Sequence, residues 1–366
     1  MREIRIGIIG VGQIGKHHLE QYRSVPGARV VAACDIDAPE LARVAERFGI
    51  ESTYADYRQL LERDDLDSVD VCLHNNLHAP VTIAALESGK HVYCEKPMAG
   101  AFADAQAMMD VSVRCGKMLS IQLGTLFTNE NLAALAIRDA GMLGKLYHAR
   151  SVGFRRRGRP FVDGYGTENF VKKHVAAGGA LYDMGVYHIA QVLFLLGLPK
   201  VERISGKVYQ ETPMDEVRRT SSGYDVEELG LGFVKCHDGL TIDIIEAWAM
   251  HLGGLDSSCI LGSQGGLKLD PFGYFTTTAD LEVSSSFDLG EVSVRRHRLD
   301  PDRECYDSAQ HHWIGAQQGR VPLWPTAETA LNTMLISEGI YLSNRLGREV
   351  TADEVRQMSV STALKI

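Results

Sequence analysis

The chain has 366 residues, a formal net charge of −9 and 45% hydrophobic residues, so it is long enough for two domains that each bury a core. Acidic chains are poorly suited to bind a phosphate backbone, because nucleic-acid affinity comes mostly from a basic face. We therefore expect no nucleic-acid partner. No basic-then-apolar leader follows Met1 and no eighteen apolar residues run together, which predicts a cytoplasmic protein with no membrane span.

The seven cysteines show no CxxC spacing, and some of them end or line apolar segments. Buried, reduced thiols are therefore expected, with neither disulfides nor a metal centre. The cysteines are Cys34, Cys72, Cys94, Cys115, Cys236, Cys259 and Cys305.

From residue 1 to 123, apolar segments of strand length alternate with helical patterns. This rhythm predicts an α/β domain, a Rossmann doubly wound parallel sheet covered by helices. The predicted strands are 5–9, 28–34, 51–54, 68–73, 91–94 and 118–123, and the helices between them include 16–22, 39–48, 78–88 and 103–115.

After residue 123 the pattern changes to long alternating segments with fewer helices, which predicts an α+β domain over 124–366 with a large, mostly antiparallel open sheet. The exposed face of this sheet is a candidate subunit interface. The predicted strands begin at 146, 201, 227, 241, 257 and 292, the last running to 298, and the predicted helices are 129–140, 185–196, 306–318 and 327–346.

The first predicted strand runs directly into Gly10-Val-Gly12-Gln13-Ile14-Gly15 and then into a helical pattern. The spacing suits a dinucleotide: Gly10 permits the turn, Gly12 lets the backbone approach a pyrophosphate, and Gly15 lets helix and strand pack closely. Amide groups at the helix start, around Gln13 and Ile14, then face the anion.

Asp35 follows the second predicted strand, twenty residues beyond Gly15. Its carboxylate can accept hydrogen bonds from ribose hydroxyls and would repel a 2′-phosphate, so NAD is favoured over NADP. Asp35 as a turn residue is the alternative, and Asp37 is a competing aspartate at the entry to the next helix.

Two more segments lie where predicted strands end: Asn76 and His78 after the fourth, and Glu95-Lys96-Pro97 after the fifth. With the glycine motif and a later stretch, Gly178 to His188, these residues resemble the glucose-fructose oxidoreductase / inositol dehydrogenase / MocA family of nicotinamide-dependent sugar oxidoreductases. The resemblance covers nearly the whole chain.

The resemblance implies that Lys96 lies between nicotinamide and substrate, where a desolvated ammonium would stabilise a forming alkoxide. It also implies that Asn76, His78 and Glu95 belong to the cofactor site, with a helix-capping role as the alternative for Asn76 and His78. The family often has a cis bond at the position of Lys96-Pro97. A surface ion pair of Lys96 with Glu95 is the structural alternative.

Most of the family has a histidine four residues after an aspartate as the acid or base. Here Tyr187 is fourth after Asp183 and His188 is fifth. On an α-helix, a spacing of four returns to the same face while a spacing of five turns about 140° away, so Tyr187 takes the site if the helix is regular. His188 remains the rival, and Asp183 would orient the substrate or the base.

The sequence departs from many relatives between 121 and 129, where Arg and Pro are missing. The four arginines of Arg155-Arg156-Arg157-Gly158-Arg159 are candidates to replace the missing substrate contact as an anion clamp. A solvated run of charges is the alternative. Arg157 and His174 are offered as substrate contacts. His17-His18 reads as a surface or packing pair.

The residues and the resemblance together predict an NAD-dependent oxidoreductase acting on a secondary hydroxyl of a sugar, glycoside or cyclitol. Two alternatives stay open: a relative that recycles tightly bound NAD within each turnover, as an epimerase or redox glycosidase, and an inactive sugar or NAD sensor. The resemblance also implies a homodimer or homotetramer.

Overall fold

The structure is a computed structural model that describes residues 1–365. Its first part alternates strands and helices as the apolar pattern predicts. In chain order these are β1 Ile4–Ile9, α1 Gln13–Tyr22, β2 Ala28–Cys34, α2 Ala38–Phe48, β3 Ser52–Tyr54, α3 Tyr57–Leu61, β4 Ser68–Val71, α4 Asn75–Glu87, β5 His91–Cys94, α5 Phe102–Cys115 and β6 Leu119–Ile121.

The six strands form one parallel sheet in the order β3-β2-β1-β4-β5-β6. The predicted doubly wound sheet is therefore confirmed. The strand order reverses between β1 and β4, and the carboxyl ends of the strands around this switch point are where such sheets bind ligands.

The second part contains the remaining helices and strands. In chain order these are α6 Asn129–Asp139, β7 Leu146–Phe154, α7 Lys173–Ala176, α8 Val186–Leu195, β8 Val201–Tyr209, α9 Glu216–Ser222, β9 Leu229–Cys236, β10 Thr241–Ala247, β11 Cys259–Gly262, β12 Gly266–Leu269, β13 Phe272–Thr278, β14 Leu281–Ser285, α10 Leu289–Leu299, α11 Ala309–Gln317, α12 Thr326–Leu346, β15 Val350–Thr351 and α13 Ala352–Met358.

These nine strands form a sheet in the order β14-β13-β12-β11-β7-β10-β9-β8-β15, in which only the β7–β10 pair is parallel. The predicted large, mostly antiparallel sheet is confirmed. Helices α8 and α12 pack on one of its faces. Helix α12 approaches closely because Gly206 and Gly232 carry no side chain where Ile340 lies.

The predicted strand at 292–298 is wrong, because this segment belongs to helix α10. Alternation of Val292 and Val294 resembles a strand, but the local signals favour a helix. Asp288 caps the first turn by accepting from the Glu291 N–H, and basic residues occupy the last turn. None of its side chains is buried, so the sequence of α10 lacks the apolar residues at helical spacing by which a helix is recognised.

Strands β12 to β14 were not predicted. The β13–β14 hairpin turns through Ala279 and Asp280, which both have positive φ. Such two-residue turns usually carry Asn-Gly or Asp-Gly, and this one lacks the signature.

The C-terminal helices contact the first sheet as well as the second. Trp313 of α11 stacks on Tyr93 with ring centroids 5.9 Å apart, and Thr326 at the start of α12 lies 2.9 Å from the Ser120 hydroxyl. Glu338, further along α12, accepts from the Phe102 N–H. A division of the chain at residue 123 stays a proposal, since the end of the chain joins the two sheets.

The seven cysteines are free thiols, of which five are buried as predicted, whereas Cys115 and Cys259 are half-buried. Among residues 1–365, no helix combines the length and apolar character needed to cross a bilayer.

Candidate active site

The glycine loop between β1 and α1 has the geometry that a pyrophosphate requires. Gly10 has φ +92, and a Cβ there would lie 2.3 Å from the Cys72 carbonyl oxygen. A Cβ on Gly15 would lie 2.0 Å from the Gly10 carbonyl oxygen, whereas one on Gly12 would meet nothing within 4 Å. The first turn of α1, with Gln13 and Ile14 exposed, has no side-chain cap. Its amide groups are therefore available to an anion.

This contrast predicts different outcomes for two alanine substitutions. Gly12→Ala should fold with nearly wild-type stability and lose at least about tenfold in NAD affinity, because its Cβ would enter only the space in front of the loop. Gly15→Ala should lower the thermal midpoint, because α1 must move away from β1. Calorimetric unfolding and NAD titration measure both effects, and equal loss of stability in the two variants would contradict the assignment.

Asp35 lies directly after β2 and is partly exposed. Its Oδ2 accepts from the Val11 N–H at 2.8 Å and its Oδ1 accepts from the Asp37 N–H at 2.9 Å. Each carboxylate oxygen keeps a second lone pair for a ribose hydroxyl. Asp37 caps α2 by accepting from the Glu40 N–H, as a helix-entry aspartate should.

Replacing Asp35 should weaken the discrimination between cofactors. Asp35→Ser removes the negative charge that repels a 2′-phosphate, so the ratio of kcat/KM for NAD over NADP should fall at least about tenfold. Asp37→Ser is the matched control, since serine also caps helices and the residue lies two positions away. A ratio unchanged by Asp35→Ser would assign Asp35 to the turn alone.

Three residues predicted for the cofactor site lie beneath the loops after β4 and β5. His78 is fully buried, with Nδ1 2.7 Å from the Pro97 carbonyl and Nε2 3.0 Å from the Leu73 carbonyl. Asn76 donates to the His174 carbonyl at 3.0 Å. His78 thus joins the two loops, and Asn76 joins the first of them to the 173–176 segment.

The third residue, Glu95, is also buried. Its Oε1 lies 2.9 Å from His18 Nε2, and its Oε2 accepts from the Lys96 N–H at 2.8 Å. His18 is buried, so of the two sequence interpretations the surface one is wrong for it, and both of its ring nitrogens form hydrogen bonds. His18, Asp70 and Cys72 each offer one possible metal-ligand atom, and these atoms lie within 4.8 Å of one another. The distance of 2.9 Å between His18 Nδ1 and Asp70 Oδ2 is, however, that of a direct hydrogen bond.

Lys96 follows β5, and its peptide bond to Pro97 is cis. The ammonium Nζ donates to the Asp183 carbonyl at 3.0 Å and lies 3.2 Å from Asp183 Oδ1. Nζ also lies 4.7 Å from the centre of the Tyr187 ring. Within the described residues, the ammonium pairs with Asp183 and not, as the structural alternative would have it, with Glu95. Lys96 therefore connects the end of β5 in the first part of the chain to Asp183 in the second.

A π-turn at Leu181–Gly185 precedes α8. Its i→i+5 hydrogen bonds widen the turn, so the α-helical spacing argument does not apply between Asp183 and the two rival residues. Tyr187 meets Lys96, whereas His188 Nδ1 lies 2.9 Å from Glu246 Oε2. π-turns often occur at functional sites.

Models of one family match two consecutive parts of the chain. The model described as "Oxidoreductase family, NAD-binding Rossmann fold" matches residues 4–123, and the "GFO/IDH/MocA C-terminal domain" matches residues 132–268. The chain belongs to the GFO/IDH/MocA family. The resemblance noted in the sequence is thereby confirmed, as is the prediction of an NAD-dependent oxidoreductase.

Individual relatives extend the GFO/IDH/MocA comparison. The chain is 26% identical over 355 residues to D-glucoside 3-dehydrogenase of Escherichia coli (strain K12), covering 95% of this chain and 97% of the relative. It is 34% identical over 153 residues to inositol 2-dehydrogenase of Salmonella typhimurium, covering 40% and 45%. The crystal structure of an oxidoreductase from Agrobacterium radiobacter with NAD+, L-tartaric acid and magnesium superimposes with a TM-score of 0.77 at 22% identity, covering 96% of this chain and 99% of that one.

In this GFO/IDH/MocA chain the double glycine before the π-turn has a clear packing role. A Cβ on Gly179 would lie 1.9 Å from the Glu227 carbonyl oxygen. The Glu227 carboxylate accepts from the Gly179 and Leu181 N–H groups at 2.9 and 3.0 Å. Glu227 therefore caps the segment that carries Asp183.

The arginine segment 155–159 acts mostly within the protein. Arg159 is fully buried and pairs with Asp163 and Glu228, each at 2.9 Å. Arg157 is exposed and pairs with Asp163 at 3.0 Å. Arg155 alone approaches the site, 3.8 Å from Asp183 Oδ2. The segment is therefore neither the clamp of four arginines nor a simple solvated run.

The proposed substrate contacts Arg157 and His174 form no hydrogen bond or ion pair with Lys96, Asp183 or His188 within the described part of the chain. The His174 side chain is exposed, and only its carbonyl contributes, as the acceptor for Asn76. Their roles stay proposals.

Sequence reasoning missed two residues that hold the site. Trp248 donates from Nε1 to Asp183 Oδ2 at 3.0 Å, and Glu246 has no exposed surface and also accepts from the Ser151 hydroxyl at 3.1 Å. Both belong to the β10 region. An acidic residue on the core side of a strand, as at Glu246, is the available sequence signal, because buried charges need partners.

Proposed function

We propose that the chain oxidises a secondary hydroxyl of a sugar, glycoside or cyclitol, or reduces the corresponding ketone, with NAD. The observation that carries this proposal is the Lys96 ammonium, held by Asp183 against Tyr187 beyond the carboxyl end of β5. The names of the relatives, a glucoside and an inositol dehydrogenase, support the substrate class.

The residues present fit a dinucleotide, because the glycine loop, the uncapped start of α1 and Asp35 each offer what one part of it needs. When bound, NAD supplies the hydride acceptor or donor. Lys96 then has the task of stabilising the substrate oxygen. Burial alone would lower the pKa of Lys96, but the Asp183 carboxylate, together with Tyr187 and the Glu95 carboxylate, outweighs burial and raises the pKa, so the side chain stays a cation.

Tyr187 is our first candidate for the proton acceptor, because it contacts Lys96 directly. Tyr187 can accept a proton only as tyrosinate; burial raises its pKa while the Lys96 cation opposes that rise, so an oxidation that depends on Tyr187 should accelerate as pH increases. His188 is the second candidate. Burial alone would lower the pKa of His188, but Glu246 raises it above its usual value, and the contact on Nδ1 leaves Nε2 for a substrate.

A panel of glucosides, inositols and anhydrosugars tests the proposal. Purified protein with added NAD should form NADH with at least one member. Formation of product without net NADH, on protein that carries cofactor through purification, would replace the proposal with internal recycling of NAD. No reaction with any member would favour the sensor.

We also propose a homodimer or homotetramer that forms through the open face of the nine-stranded sheet, where Phe233 and Phe275 are exposed. A cytoplasmic location is proposed with it, supported by the seven free thiols. Light scattering on the wild type and on Phe233→Lys tests the assembly: a wild-type monomer, or an unchanged assembly in the variant, would contradict it.

A further inference from the structure

Charged groups of alternating sign lie in a buried row beneath Lys96. His18 of α1 has Nδ1 2.9 Å from Asp70 Oδ2 of β4, and Nε2 2.9 Å from Glu95 Oε1 after β5. The other oxygen of Glu95 accepts from the Lys96 N–H at 2.8 Å. His18 and Asp70 have no exposed side-chain surface and Glu95 has 5%. The row ends where Lys96 Nζ meets Asp183.

This arrangement favours a protonated His18. Both ring nitrogens face carboxylates, which only accept when they are ionised, and only the imidazolium donates from both nitrogens. With a neutral ring, one carboxylate oxygen would lose its His18 donor, although Glu95 would keep the Lys96 N–H and Asp70 the Cys72 thiol. The two buried carboxylates would also lose the cation that compensates them, which is strongly destabilising. Burial alone would lower the pKa of His18, but Asp70 and Cys72 raise it well above its usual value.

The other titratable groups around His18 do not compete for its protons. Burial, with the nearby Asp70, raises the pKa of Tyr22 on the same helix, so its hydroxyl stays neutral. Cys72 Sγ lies 3.3 Å from Nδ1, and burial raises the pKa of this thiol, so it stays neutral. The Tyr93 ring lies 5.7 Å from the His18 ring, and burial likewise keeps its hydroxyl protonated by raising its pKa. His17, on the same helix, is exposed. Asp70 and Glu95 are therefore the two charges that His18 balances.

The charge of Glu95 depends on His18 and acts on Lys96. Burial would raise the pKa of Glu95, but its contacts with His18 and Lys96 lower it, so the carboxylate stays ionised. The Glu95 carboxylate lies beside Lys96 and, after Asp183 and Tyr187, helps to raise the pKa of the Lys96 ammonium.

We propose that His18 is a positioning residue of the active site, which holds Glu95 in place as a carboxylate and acts through it to fix the backbone of Lys96 and the electrostatic surroundings of its ammonium. The inference rests on the proposed function in so far as the Lys96 cation serves the reaction. It gives the histidine three residues after Gly15 a role that links the dinucleotide helix to the reactive lysine.

The test measures the pKa of Lys96 directly. Lysine labelled with 13C at Cε is incorporated biosynthetically, the Lys96 resonance is assigned by its loss in Lys96→Ala, and it is titrated by NMR in the full chain. Glu95→Gln should lower the pKa of Lys96 by about one pH unit, because it removes a negative charge beside the ammonium. His18→Gln removes the cation that compensates Glu95, so it should shift the pKa of Lys96 in the opposite direction, upward. His17→Gln is the matched control and should leave the titration unchanged.

The combination of the two variants distinguishes positioning from general stabilisation. If His18 acts through Glu95, the double variant should titrate like Glu95→Gln alone. In assays, kcat should fall in both single variants while KM for substrate changes little. Deprotonation of Lys96 should make kcat fall at alkaline pH, and this fall should move to lower pH in Glu95→Gln and to higher pH in His18→Gln.

An unchanged Lys96 titration in Glu95→Gln would overturn the proposal even if His18→Gln fails to fold, because glutamine preserves the size of Glu95. Fully additive shifts in the double variant would also overturn it. The titration needs no substrate, so absence of NAD reduction by the wild type would contradict the proposed function without affecting this result.

Discussion

Lys96→Ala should lower turnover by about 10² to 10³ while NAD binds nearly as tightly as to the wild type. The loss follows because the ammonium acts where charge develops on the substrate oxygen, and removal of one such donor typically has this effect. Lys96→Met is the better isostere, since it keeps the aliphatic stem against Tyr187. Steady-state kinetics with the best substrate of the panel and NAD titration by fluorescence give the two quantities.

The control is Lys145→Ala, an exposed lysine before β7. It should leave both turnover and NAD affinity unchanged. If Lys96→Met retained wild-type kcat, the ion pair with Asp183 would be structural, and the reaction would need another group at the substrate oxygen.

The fall in kcat of Tyr187→Phe and of His188→Asn should show which of the two residues accepts the proton and which one supports it. Phenylalanine keeps the ring beside Lys96 and removes only the hydroxyl, so with Tyr187 as the acceptor kcat should fall by about 10² to 10⁴. His188→Asn should then lower kcat by less. The reverse order would assign the proton to His188 and Glu246.

The pH dependence of the oxidation rate gives a second way to distinguish Tyr187 from His188 as the proton acceptor. An acceptor must be unprotonated to take a proton, and the pKa of His188 is raised, so a His188-dependent oxidation rate should rise as pH increases through a value above 6.5. His188→Asn should abolish that rise only if His188 is the acceptor. The stabilising His188–Glu246 ion pair has the opposite dependence: it is fully present below the unfolded pKa and lost as pH rises through the raised folded value.

The sequence predicts the first sheet well because local and global signals agree there. Strands β1, β4, β5 and β6 are largely buried on both faces and so appear as apolar segments, whereas the edge strand β3 buries no residue fully. The strand from Ala28 to Cys34 matches its prediction at both ends. Prediction fails in segments without a core face. Helix α10 buries no side chain, and the β13–β14 turn uses Ala279-Asp280 instead of a residue pair typical of such turns.

The catalytic candidates were predictable only as far as motifs extend. Lys96 and Asp183 belong to recognisable segments, and the structure brings them within 3.2 Å. Their supporting partners come from distant positions: Trp248 from beyond β10 and His18 from α1. No spacing rule connects such residues, because the two sheets and the C-terminal helices bring them together in three dimensions.

The π-turn also lies beyond sequence reasoning. In a regular α-helix from Asp183 to His188, Tyr187 would lie at the site and His188 would point away from it. In the structure Tyr187 meets Lys96 while His188 meets a buried glutamate from the second sheet. The face of the helix therefore does not decide between Tyr187 and His188 as the proton acceptor; the chemistry of the two side chains does.

The most direct test of the central claim follows the hydrogen itself. A substrate from the panel that carries deuterium on its secondary carbinol carbon is incubated with NAD and the wild-type protein, and the NADH and the sugar product are analysed by mass spectrometry. We predict NADH that contains one deuterium, formed together with a ketone at the labelled carbon. NADH without deuterium, or a ketone formed with the cofactor unlabelled, would contradict hydride transfer from that hydroxyl.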